Sequence, residues 1–278
     1  MDFITPVGFV LAVVAVVVSD MMDGGTVRSL INPAAMLLVI GGTLGATSMS
    51  SRMSDLKGVI RSILRAMRPP KVDRVAAIRE LVGYADVARR EGLLKLDALL
   101  PEIKDEFLRR GLMMAVDGTD ENLVREVMES EMTTLEASAN DAARFFETAG
   151  GFAPTLGIIG TVIGLVSVLS NISNAAKLAP SIATAFIATL WGVSSANLFW
   201  LPIGNKLKVI AGQETSLREI VLEGVLAIEA GDNPRVVQDK LRAFLTPEEG
   251  KALDKAMAAP AAADAQGVGE TAAGEASP

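Results

Sequence analysis

The best-placed chemical groups in this chain are hydroxyls on two uncharged stretches. Residues 150–174 and 180–205 contain no Asp, Glu, Lys or Arg. The first carries Thr155, Thr161, Ser167 and Ser170, and the second Thr184, Thr189, Ser194 and Ser195. Taken as antiparallel helices rising ~1.5 Å per residue, the two stretches bring Thr161 and Thr189 within about a turn of the same depth. Two hydroxyls at one depth could line a polar track for a small cation. They equally suit hydroxyls bonded to their own helix backbone, or small residues packed between helices. Spacing leaves these readings open.

Little other chemistry is available. The 278 residues include no His and no Cys. That removes disulfides, thiolate nucleophiles and thiolate zinc sites. It also removes an imidazole base, a Ser-His-Asp triad and His metal ligands. An ionisable residue inside a membrane helix is the usual mark of an ion relay, and neither hydroxyl-bearing stretch has one. The chain alone therefore lacks a central titratable carrier. A membrane enzyme is disfavoured on the same grounds, and no cofactor is expected.

The elements that must position these groups are apolar helices. Ile4–Val18, Pro33–Ser51, Gly150–Asn174 and Pro180–Asn205 are uncharged. A bilayer core takes ~20 residues of helix, and the first stretch reaches that length with Ser19 to Met22. It lacks the basic start and the small-residue cleavage site of a signal peptide. Arg52, Lys57, Arg61, Arg65 and Arg68 follow the second stretch, and Lys206 and Lys208 follow the fourth. The short connectors hold only Arg28 and Lys177. The positive-inside rule then puts both termini and the long middle segment in the cytoplasm. Phe199 and Trp200 fall near the inner end of the fourth helix, where an aromatic belt is expected.

The expected fold is an all-α integral membrane protein with four transmembrane helices. Residues 1–51 hold helices 1 and 2 (about 4–22 and 31–50), and 149–206 hold helices 3 and 4 (about 150–173 and 181–204). Residues 52–148 form a helical cytoplasmic domain, and 207–257 a helical cytoplasmic C-terminal region. In the first of these, Asp73 caps a helix over Val75 to Arg90 that Gly92 stops. Further helices are expected over 97–116 and 120–148. Thr246-Pro247-Glu248-Glu249 has the pattern of a helix start. Residues 258–278 contain nine Ala and no large apolar residue, so they read as a disordered tail. Gly157, Gly160 and Gly164, like Gly41 and Gly45, permit close helix contact and fit an oligomer. Pro154 and Pro202 each free a backbone carbonyl near the inner end of a helix. They read as a hinge pair or as helix-end punctuation.

Several segments resemble the flagellar motor stator A subunit, the MotA/PomA family. They are Ala88 to Asp97 (ARREGLLKLD), Ala153 to Val166 (APTLGIIGTVIGLV), Ala188 to Gly192 (ATLWG) with Leu201-Pro202-Ile203, and Glu223 to Arg235 (EGVLAIEAGDNPR). The likeness runs over roughly residues 1–245 and leans to the sodium-type PomA branch. It implies a B-type partner (MotB/PomB-like) that inserts a helix bearing the ion-carrying aspartate. It further implies five A subunits around two B subunits in the bacterial inner membrane, and torque delivered to a FliG-like rotor switch protein.

Carried over residue by residue, Arg89, Arg90 and Asp97 match rotor-facing positions. Asp97 stands where Glu is usual, one methylene shorter, and Ala98 and Leu99 stand where further acids are common. Pro154 and Pro202 match paired prolines linked to conformational change. Thr161 and Thr189 match threonines of the pore. Proton-type members often have Ala at the Thr161 position, and a hydroxyl can help replace water around a dehydrating Na⁺. The expected transported ion is therefore Na⁺ rather than H⁺. An ExbB/TolQ-type energiser of outer-membrane transport is the alternative; it usually has three spans, with its cytosolic block after the first. A purely structural scaffold is a third reading.

Overall fold

Short polar caps decide where the helices of this chain begin. The computed structural model describes residues 4–258, and every element among them is helical. In chain order they are α1 (Ile4–Met22), α2 (Val27–Leu30), α3 (Pro33–Met49), α4 (Met53–Met67), α5 (Arg74–Glu91), α6 (Glu106–Val116), α7 (Glu121–Ser170), α8 (Ala175–Ser195), α9 (Leu201–Glu229), α10 (Pro234–Arg242) and α11 (247–258). Asn32 accepts a bond from the Ala35 N–H at 3.1 Å, and Pro33 takes the first position of α3. Asp73 caps α5 through the Ala76 N–H at 2.9 Å, and Asp105 caps α6 through Leu108 at 2.8 Å. The expected helix over 97–116 is broken instead. Pro101 and the Asp105 cap leave 3₁₀ turns at Leu93–Ala98 and Leu100–Glu102 before α6 starts. Apart from Ala258, the Ala-rich tail lies outside the described residues.

The chain divides into two units, Met1–Pro70 with Glu136–Gly212, and Lys71–Leu135 with Gln213–Pro278. The first unit holds the apolar helices. No residue of α1 is buried, although Ile4, Val7, Val10 and Leu11 are all large and apolar. On α7, Ile158, Val162, Ile163, Val166 and Leu169 are likewise exposed. Such surfaces require an apolar surrounding. Among the described residues three helices are long and apolar enough to cross a membrane: Ile4–Met22, Glu121–Ser170 and Leu178–Glu229. The second expected span is shorter, since Pro33–Met49 rises only about 25 Å at ~1.5 Å per residue.

Two wide turns interrupt these helices, at Leu37–Gly41 and Ala196–Trp200. In the second, the Leu201 N–H bonds to the Ala196 carbonyl, five residues back. Pro202 explains the position. It has no N–H for the Leu198 carbonyl, and its ring crowds that group, so the turn before it widens. Trp200 departs from expectation. It is only 8% exposed and packs against Phe146, ring centres 6.2 Å apart. It therefore belongs to a core with Ala66, Ala143, Phe145 and Ala153 rather than to a lipid-facing belt. The other tryptophan, Trp191, donates its indole N–H to the Leu30 carbonyl at 2.8 Å.

The second unit has its own core. Ile78, Leu81 and Val82 of α5 meet Leu108 and Leu112 of α6, Val124 and Met128 of α7, and Ile220 and Val225 of α9. Close approach depends on small residues. A β-carbon on Gly224 would sit 2.6 Å from Leu81, and one on Gly111 would sit 2.9 Å from the Met128 sulfur. Gly231, with φ +74°, turns the chain into α10, whose cap is Asn233 bonding the Arg235 N–H at 3.0 Å.

Candidate functional site

Four glycines bring the two hydroxyl-bearing helices together. A β-carbon on Gly192 of α8 would lie 2.7 Å from the Ala153 carbonyl oxygen and 3.0 Å from the α-carbon of Gly157. One on Gly157 would lie 3.1 Å from the Ala188 carbonyl oxygen, and one on Gly160 would meet the Ala188 side chain at 2.5 Å. Gly164 is equally tight against Ala185. The small-residue stripe on α7 is thus spent on α8 of the same chain. Gly45 has open space around it, and Gly41 touches only Leu37.

At that crossing the Thr161 and Thr189 hydroxyls are hydrogen-bonded to each other. Each also reaches the Gly157 carbonyl, at 3.2 Å, and Thr161 lies 3.4 Å from the Ala185 carbonyl. The depth argument from sequence therefore holds as contact. Four oxygens from two helices gather at one half-buried point with no formal charge. Such a cluster can exchange a hydrogen bond for a dehydrating cation, and it cannot itself titrate near neutral pH.

The other hydroxyls divide between the two readings. Thr155 donates to the Phe152 carbonyl, Ser170 to Val166 and Ser195 to Gly192, each within its own helix. Ser167 pairs with Ser181 across the helices at 3.4 Å, and Asn32 donates to Thr184 at 3.0 Å. Asn32 and Ser181 were not singled out from the sequence. Neither were Thr43 and Thr47, which are fully buried on α3 with hydroxyls that find no bond. Their four-residue spacing in an uncharged stretch was the available signal.

Pro154 lies inside the unbroken α7, whereas Pro202 follows the wide turn of α8 and α9. A β-carbon on Gly150 would collide with Leu201 at 2.5 Å. By that register Pro202 lies about five residues of helix rise, roughly 7–8 Å, further toward the inner end than Pro154, so the two prolines are not level. Below them, Lys208 and Glu147 pair at 2.6 Å.

Arg89, Arg90 and Asp97 belong to the second unit, and all three are exposed. Gly92 gathers them. Its φ of +89° is open to glycine but not to residues with a β-carbon, so α5 ends there and the chain turns back. Buried Leu96 anchors the 3₁₀ turn that carries Asp97. Arg90 pairs with Asp86 at 3.0 Å, and Lys95 with Glu91 at 3.2 Å. Among the described residues Arg89 and Asp97 have no ion-pair partner.

Comparison with known proteins shows the family. A profile for the MotA/TolQ/ExbB proton channel family matches residues 100–251, and one for the motility protein A N-terminal region matches residues 6–91. Motility protein A of Bacillus subtilis is 39% identical over 249 residues, 88% of this chain and 91% of that one. The chain belongs to the motility protein A family. Chemotaxis protein PomA of Vibrio alginolyticus is 32% identical, over 90% of this chain and 97% of its own. PomA is thus not nearer than the Bacillus protein. The solved flagellar MotAB stator complex of Bacillus subtilis contains a chain with TM-score 0.82 and 37% identity, covering 87% of this chain and 96% of that one. The chain is therefore homologous to flagellar stator subunits. Motility protein A chains are membrane ion-channel components and not enzymes.

Proposed function

We propose that this chain is the A subunit of an ion-driven flagellar stator, with Thr161 and Thr189 at the narrow part of the ion path. The observation that carries this reading is the bridged hydroxyl pair at the α7–α8 crossing, in segments without a single charge. A path that binds a cation yet has no titratable group needs a carboxylate from elsewhere. The Bacillus relative was solved as a MotAB complex, which supports a B-type partner supplying that aspartate. Five copies around a partner dimer is the assembly the family resemblance implies.

In this reading α1, α3, the second half of α7 and α8 cross the inner membrane, with both termini in the cytoplasm. Flanking residues 27–32 make up the shortfall in α3. Ions pass Thr161 and Thr189 to the partner's aspartate and neutralise it. Pro154 and Pro202 let the inner helix ends adjust, and the wide turn before Pro202 supports a soft point there. Arg89, Arg90 and Asp97 meet complementary charges on a FliG-like rotor protein. Exposed charges of this kind act through steering and register.

Na⁺ is the ion favoured over H⁺. The reading rests on the Thr161 hydroxyl, because an oxygen helps a dehydrating Na⁺ and is not needed by a proton. Swimming speed measured against external Na⁺ at fixed pH tests it. Speed should rise with Na⁺ and persist with a protonophore. Undiminished swimming without Na⁺, abolished by the protonophore, would overturn the sodium reading.

A further inference from the structure

Four leucines stand in the seven residues after Gly92: Leu93, Leu94, Leu96 and Leu99. In the 3₁₀ turn over Leu93–Ala98, positions three apart stand above one another. Leu93, Leu96 and Leu99 therefore share one edge. All three pack into the core of the second unit, Leu96 with no exposed surface. Leu94 and Asp97 share the next edge, and both are exposed. Leu94 is 78% exposed, whereas no other large apolar side chain described in the second unit exceeds 49%. The turn is held in this pose by the Lys95 N–H on the Gly92 carbonyl at 3.1 Å and the Leu99 N–H on the Leu96 carbonyl at 2.8 Å. The fold itself makes no use of Leu94, since the core is served by the other three.

The charges of this segment are used unevenly. Lys95 pairs with Glu91 and Arg90 with Asp86, while Asp97 keeps its charge free on the edge that Leu94 shares. Exposed charges steer an encounter and set its register, but exposed ion pairs hold weakly. Burying a leucine side chain contributes more, and protein contacts commonly seat an apolar centre inside a charged rim. We propose that Leu94 is the apolar anchor of the rotor contact, seated in an apolar pocket of the FliG-like protein with a cation at the rim where Asp97 arrives. The shared edge decides the occupant: a partner that meets the Asp97 carboxylate also covers Leu94. The inference rests on the rotor-facing reading of Arg89, Arg90 and Asp97 given under Proposed function.

The test uses cells whose sole stator A subunit is the full-length chain, read by a bead assay of single motors. Leu94→Ser should lower torque at least roughly threefold, because the apolar burial of the contact is lost. Thermal unfolding of the purified variant should stay at the wild-type value, since the side chain already stands in water. Leu94→Met keeps an apolar side chain and should recover most of the torque. Leu123→Ser, at an exposed leucine of α7, should change nothing. A photoreactive benzoylphenylalanine in place of Leu94 should crosslink to the FliG-like protein. Wild-type torque in Leu94→Ser, or a crosslink to a second copy of this chain alone, would overturn the inference. Arg89→Glu and Asp97→Lys read the rotor face separately. If they lower torque and Leu94→Ser does not, the anchor alone falls; normal torque in all three would remove the rotor-facing reading together with it.

Discussion

The Thr161 and Thr189 hydroxyls both lie within 3.2 Å of one carbonyl, that of Gly157, and bond to each other, so with one proton apiece one donates to the carbonyl and the other to its neighbour. The arrangement makes the two hydroxyls interdependent: replacing either leaves the other its backbone bond but removes the bridge. Thr161→Ser keeps the oxygen and should keep sodium-dependent swimming. Thr161→Val keeps the shape and loses the oxygen, and should reduce speed at low Na⁺ by severalfold. Thr189→Val should do the same, and the double variant should be little worse than either single one. Speed curves against Na⁺ for the four strains check this; equal curves would show that the pair is only packing.

The crossing itself should tolerate nothing larger than glycine at its centre. A methyl on Gly192 would press on the Ala153 carbonyl and the Gly157 α-carbon, both backbone atoms that cannot rotate away. Gly192→Ala should cost about 1–3 kcal/mol as overpacking does. Gly83 on α5 is the control, because open space surrounds it. There Ala should gain roughly 0.5–1 kcal/mol from helix propensity. Opposite shifts in thermal unfolding of the purified protein would bear this out.

How far the sequence could be read follows from the same contrast. Uncharged length announced the apolar helices, and Asp73 and Gly92 marked the two ends of α5. The Thr161–Thr189 meeting was legible because helix rise converts spacing to depth. Which glycines serve the inside of the chain was not, since Gly157 and Gly45 look alike until a partner helix is placed. Trp200 went inward because Phe146, fifty-four positions earlier, waits there. The wide turn at Ala196–Trp200 depends on a proline that sequence shows only as a possible hinge. Asn32 was overlooked because a single polar residue between helices carries no periodic signature; Thr43 and Thr47 offered only their four-residue spacing, which does not say that both face inward.

Charge reversal on the second unit should separate function from stability. Arg89 and Asp97 are exposed and unpaired among the described residues, so changing them removes no intramolecular contact. Arg89→Glu should lower torque strongly while thermal unfolding moves by less than about 0.5 kcal/mol, as for surface substitutions. Asp97→Lys should act likewise. A compensating reversal on the rotor should restore torque to Arg89→Glu, and a bead assay of single motors reads it. Normal torque in both single variants and the double reversal would mean that these charges are not the contact.

Two carboxyls of the second unit should titrate in opposite senses. Burial, and then the nearby Glu121 and Asp120, push the Glu229 carboxyl above its usual range, and one of its oxygens is buried without a bond. Glu249 is held below the usual range, first by the Thr246 backbone N–H and then by its hydroxyl. For Glu229 the folded state binds its proton more tightly, so its contribution is full below the unfolded value of about 4.3 and is lost as pH rises. For Glu249 the contribution is present above that value and lost as pH falls. Glu229→Gln should therefore raise the unfolding temperature at pH 7 and give no gain at pH 4. Thr246→Ala removes the hydroxyl but not the backbone bond, and should cost ~1 kcal/mol at pH 7 as other cap losses do, and less at pH 4. A Glu229→Gln gain of equal size at both pH values would show that burial, rather than charge, sets its cost.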